Sequence, residues 1–221
     1  MDAGMLRCAT ALVLSVGLAV SSQAAKSHPH VFIDGGVDFV MDEDGTLRAL
    51  DVTWLYDPFE TLYVLATLKI TPDAEWRLSS DDRARLIAHE SVWAGDFDGT
   101  SHLSIEGEAV KLARPTGFDV ELENEQLKVT FRRNLPEPID VRGLDVEVAV
   151  YEKTFFYSLG VTKGPKFIGA ETGCATDVIR FDPDTQLNAL QYSLFELSRE
   201  ETPEIENVGA LFADRIVLKC D

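Results

Sequence analysis

An α+β fold with a mostly antiparallel, sandwich-like β body is predicted for this 221-residue chain. Three observations carry the prediction. Short runs of alternating apolar and polar residues recur along most of the sequence, separated by turn signals. One stretch, at about 57–95, switches to helical spacing. Strands interrupted by a helical insert, rather than strict strand–helix alternation, argue for α+β over α/β.

The elements follow in order. Residues 30–40 (HVFIDGGVDFV) form a β-type run, with a bulge or bend expected at Gly35-Gly36. Asp42-Glu43-Asp44-Gly45 is a hairpin turn signal. Residues 47–55 then put Leu50, Val52 and Trp54 on one face, so the first two strands are expected to pair. At 58–68 the spacing is helical: Phe59, Leu62, Tyr63 and Ala66 share a stripe, and Pro58 suits a first turn. Asp57 either caps that helix or faces a pocket. Ser79 or Ser80 caps a second helix, running to about Trp93, with Asp81 and Asp82 in its first turn and Leu86 and Ile87 inward. Strands are expected at 101–106, 108–113, 117–123, 127–133, 144–151, 154–162, 166–171 and 175–181, with a loop at Pro136 and Pro138. A C-terminal helix is expected at 185–198, from the spacing of Leu187, Leu190, Leu194 and Leu197, before a last strand at 211–220. No linker divides the chain, so residues 25–221 read as one domain with a helical lobe.

A formal charge of −18 excludes several roles. Such a surface repels nucleic-acid phosphates and anionic lipid headgroups. The hydrophobic share of 45% is that of a folded chain with a real core.

Residues 1–24 read as a cleaved secretory signal. Arg7 supplies the positive start, residues 9–20 the apolar centre, and Ser22-Gln23-Ala24 the small residues for cleavage after Ala24. Met5 is an alternative start. The apolar run of about 12 residues is short of the ~20 needed to span a bilayer. Cleavage after Ala25 would instead leave His28 third from a free amine, a chelating arrangement for copper or nickel. The expected location is the periplasm, with no membrane insertion after cleavage. The processed chain keeps Cys174 and Cys220, and export favours a disulfide between them over two free thiols.

The richest cluster of chemistry is His28-Pro29-His30-Val31-Phe32-Ile33-Asp34. Alternate side chains of an extended segment share a face, which puts His28, His30 and Asp34 together. Two imidazoles and a carboxylate suit Zn²⁺, Ni²⁺ or Cu²⁺. The competing reading is a polar patch or structurally bonded histidines. His89 and His102 are secondary candidate ligands, more ordinary as surface or core histidines. Residues 71–82 have the rhythm of a calcium loop, with Asp73, Glu75, Ser79 and Asp82 at ligand positions. Thr71 replaces the first acid there and Trp76 the turn glycine, so calcium is not expected. No serine-nucleophile elbow, phosphate-binding glycine loop or HExxH is present, and no enzyme activity is expected.

HPHVFID at 28–34, TWLYDPF at 53–59, VAVYEKTFF at 148–156 and FADRIVLKC at 212–220 together resemble the periplasmic family known as domain of unknown function 1007. The resemblance covers nearly the whole processed chain. It implies a periplasmic component of a transport system, associated with nickel/cobalt-type permeases and with zinc acquisition. His28, His30 and Asp34 match the family's signature histidines and following acid. Family members often carry a DxDGDG loop between the helices, from which this chain departs. Two expectations result: an accessory protein that captures zinc or nickel/cobalt for an inner-membrane permease, and a non-catalytic envelope interaction module without metal.

Overall fold

The computed structural model describes residues 29–95, 97, 99–169, 173–182, 188–197, 201 and 203–221. The expected signal segment and His28 lie outside the described residues.

The fold starts from a long hairpin. β1 (Val31–Met41) and β2 (Thr46–Tyr56) pair antiparallel from Ile33↔Tyr56 to Met41↔Leu47. Gly45 closes the turn in the left-handed region, at φ 81°, and donates its N–H to the Asp42 carbonyl. Gly35 and Gly36 sit in continuous register, and the irregularity falls at Val40/Met41 instead. The expected bulge is therefore absent at the glycines. Gly35 is needed for close approach: a Cβ there would lie 2.5 Å from the Thr53 carbonyl oxygen.

α1 (Pro58–Thr67) and α2 (Ser80–Glu90) follow, capped by Asp57 and Ser79 as their side-chain chemistry requires. The next strands are β3 (Ser101–Ile105), β4 (Glu108–Val110), β5 (Thr116–Glu123) and β6 (Gln126–Asp140). β6 runs through Pro136 and Pro138, where a loop was expected. Its register against β2 jumps from Ala49↔Asn134 to Leu47↔Ile139, and this irregularity takes up both prolines. Then come β7 (Val146–Val150), β8 (Tyr157–Val161), β9 (Phe167–Ile168) and β10 (Cys174–Ile179). α3 (Asn188–Phe195), a 3₁₀ turn (Val208–Phe212) and β11 (Asp214–Cys220) complete the order.

The described strands form two sheets. One has the order β5-β6-β2-β1-β8, with β9 also on β1; the other is β10-β11-β7-β3-β4. Only the pairings of β1 with β8 and β9 are parallel among these named strand pairs. Val37, Phe39, Leu50 and Val129 from the first sheet and Val148, Ile216 and Leu218 from the second share one buried core, giving the α+β sandwich. A smaller cluster of Phe155, Leu194, Val208 and Phe212 seats α3 and the 3₁₀ turn. Cys174 and Cys220 face each other across β10 and β11 and are disulfide-linked.

α1 is turned differently from its sequence stripe. Thr61, Val64 and Leu65 are buried, while Phe59, Leu62 and Tyr63 are 74%, 55% and 49% exposed. The Thr61 hydroxyl accepts the Leu127 N–H at 2.9 Å, and that bond to β6 holds the Thr61 side of a helix with apolar residues on both sides inward.

Candidate functional site

The N-terminal strand is anchored before it begins. Pro29 is buried, and the His30 N–H donates to the Phe156 carbonyl at 2.9 Å. The half-buried His30 ring rests on Phe156, with ring centres 5.1 Å apart. Phe156 is itself held by a tight turn: the Glu152 carboxylate accepts N–H groups from Thr154 and Phe156, each at 2.9 Å, and the Thr154 hydroxyl at 2.8 Å.

From His30 the alternation is as expected. Val31 and Ile33 are buried, and Phe32 and Asp34 are exposed on the other face. The Asp34 carboxylate makes no hydrogen bond or ion pair among the described residues. It opens on a cavity of about 370 Å³ shared with Phe32, Phe181 and Phe212. The extended rise sets His30 and Asp34 about 13 Å apart along the strand, beyond the joint reach of one imidazole and one carboxylate on a single ion. Among the described residues, no three His, Cys, Asp or Glu side chains form a group able to hold a metal ion.

The secondary histidines do not converge on that strand. His102, on β3 in the opposite sheet, stacks on Tyr151 at 3.9 Å and places Nε2 3.2 Å from the Tyr151 carbonyl oxygen. His89 is exposed on the last turn of α2. Asp57 is a cap with a second duty: Oδ1 accepts from Glu60 N at 2.9 Å, and Oδ2 accepts from Phe32 N at 3.0 Å.

The loop between the helices keeps part of the calcium-loop shape. Trp76 stands where that loop carries glycine and takes φ 56°. Arg77 lies where a cation would be expected: Nε is 2.9 Å from Asp73 Oδ2, and a terminal nitrogen is 2.8 Å from Glu75 Oε2. The loop's own guanidinium neutralises these two carboxylates.

A second site was not legible in the sequence. β2, α1 and the end of α2 enclose a cavity of about 330 Å³. The Tyr56 hydroxyl donates to Glu90 Oε2 at 2.9 Å at this cavity, and both residues are buried. Burial pushes the Glu90 carboxyl up to about 7, against the opposing effect of the Tyr56 hydrogen bond. Burial, with the nearby Glu90 charge, likewise raises the Tyr56 phenol. Trp54, Trp93, Phe97 and Tyr157 supply ring walls, and Glu60 and His89 also line the cavity. The one local signal was TWLYDPF, an aromatic pair at the end of a strand; the partner Glu90 lies 34 residues away.

No helix among the described residues is long and apolar enough to cross a membrane. That fact and the disulfide are compatible with an exported protein. The family described as "Protein of unknown function (DUF1007)" matches residues 12–220. An "Uncharacterized protein" of Haemophilus influenzae (strain ATCC 51907 / DSM 11121 / KW20 / Rd) is 22% identical over 212 residues, covering 94% of this chain and 98% of that protein.

Proposed function

This chain belongs to the DUF1007 family, and on that footing we propose that it is a periplasmic, non-catalytic accessory protein that captures a divalent transition metal for an inner-membrane permease. Zinc and nickel/cobalt are the candidate cargo. His28 and His30, two residues apart, are the capture pair. The supporting observation is the anchoring at His30: buried Pro29 and the His30–Phe156 backbone bond fix the chain at His30, just ahead of β1. Two protein donors leave half of a four-coordinate shell open, which suits cargo that must be released. Asp34 acts as a nearby exposed charge rather than a third donor.

Calorimetric titration of the processed protein with Zn²⁺, Ni²⁺ and Co²⁺ tests this reading. The His28→Ala/His30→Ala variant is expected to lose the binding seen in the parent. Equal binding by both proteins would remove the assignment.

A second reading, an envelope interaction module without metal, is favoured by one observation: the apolar outer stripe of α1, with Phe59 at 74% exposure. It predicts a crosslinked envelope partner that survives chelator, and no metal-induced rise in melting temperature.

A further inference from the structure

The Tyr56–Glu90 cavity is separate from the N-terminal pair and has its own chemistry. Glu90 is 8% exposed, yet among the described residues no Lys or Arg lines the cavity. Oε2 accepts from the Tyr56 hydroxyl, and among the described residues Oε1 has no hydrogen-bond partner. Buried carboxylates are ordinarily paired with a cation or held neutral. Arg114 and Arg133 lie over the Trp93 ring at 5.7 and 5.5 Å, but they open on the neighbouring cavity across the Trp93 and Phe97 wall. Trp54, Trp93, Phe97 and Tyr157 contribute aromatic rings to the walls, whose faces attract a weakly hydrated cation, beside the aliphatic Ile33, Val64 and Val92. Glu60, His89 and Glu90 line the cavity, but among the described residues no three His, Cys, Asp or Glu side chains form a group able to hold a metal ion.

We propose that this cavity binds a small organic cation, an alkylammonium or tetraalkylammonium group, between its aromatic rings and the Glu90 carboxylate. About 330 Å³ holds a ligand of choline size with room to spare. Binding draws Glu90 into its ionised form, so the ligand displaces the carboxyl proton. Among the described residues, the other titratable groups lining the cavity are Tyr56 on β2, Glu60 on α1, His89 beside Glu90 on α2, and Tyr157 on β8.

The probes are choline, tetramethylammonium and 3,3-dimethylbutanol, the uncharged counterpart of choline, read by calorimetry and tryptophan fluorescence on the processed protein. Choline is expected to bind at least ~10-fold more tightly than the alcohol. Glu90→Gln, checked for unchanged circular dichroism, is expected to abolish that preference. The His28→Ala/His30→Ala variant is expected to bind choline as the parent does, which separates this site from metal capture. Lowering the pH from 8 to 6 is expected to weaken choline binding roughly ten-fold, as Glu90 takes up its proton. His89→Asn is expected to keep that dependence. Equal affinity for choline and the alcohol, no choline binding by the parent, or an affinity flat with pH would overturn the proposal.

Discussion

The hydrogen bond from Tyr56 to Glu90 joins the last residue of β2 to the last residue of α2, 34 positions later in the chain. It fastens the helical lobe to the sheet at the lip of a cavity. It also places a carboxyl at the negative end of a helix, where the helix dipole opposes ionisation.

That placement fixes a sign. The Glu90 carboxyl sits at about 7 in the folded protein against 4.5 for an unperturbed glutamate. Folding therefore favours the protonated form. The stabilisation is fully present below pH ~4.5 and is lost as pH rises through ~7, a change of about 3 kcal/mol. Glu90→Gln is neutral throughout. Its stability relative to the parent should rise by that amount between pH 4.5 and 8 in urea unfolding, and a constant difference would refute the argument.

The Glu152 carboxylate is 7% exposed and satisfies two backbone N–H groups and one hydroxyl. Glu152→Ala leaves those donors without their acceptor, and a loss of roughly 2–4 kcal/mol is expected in chemical denaturation. Because Phe156 carries the His30 ring, amide exchange at His30 and Val31 should accelerate in the same variant.

Cys174 and Cys220 close a loop with a sequence separation of 46. The chain-entropy argument gives about 4 kcal/mol for a loop of that length. Cys174→Ser/Cys220→Ser should lose up to this amount, measured by urea unfolding. A negligible loss would mean that the β10–β11 pairing alone orders the edge.

Arg77 already occupies the inter-helix loop between Asp73 and Glu75. Millimolar Ca²⁺ should therefore leave the melting temperature of the protein unchanged, as scanning calorimetry can check. A calcium-dependent rise would show that the guanidinium yields its place.

Local patterning was enough for the β1–β2 hairpin, both helix caps and the strand at β7, because each depends on residues close in sequence. The orientation of α1 was not legible. The helix is apolar on both sides, so periodicity carries no phase, and a threonine hydroxyl bonded to β6 decides it. β6 ran through two prolines because a register irregularity can absorb them, which no local rule states. The His28–His30 pattern was visible. The separation of His30 from Asp34 follows from the same extended run, because sharing a face at four residues' rise is not convergence. The Tyr56–Glu90 pair was hidden because its two halves lie on different elements.

Asp57 holds the first turn of α1 with one oxygen and the second residue of β1 with the other. The strand that follows His30 and the helix that presents Phe59 are thus clasped by a single side chain. One substitution at Asp57 would therefore release the first turn of α1 and the start of β1 together.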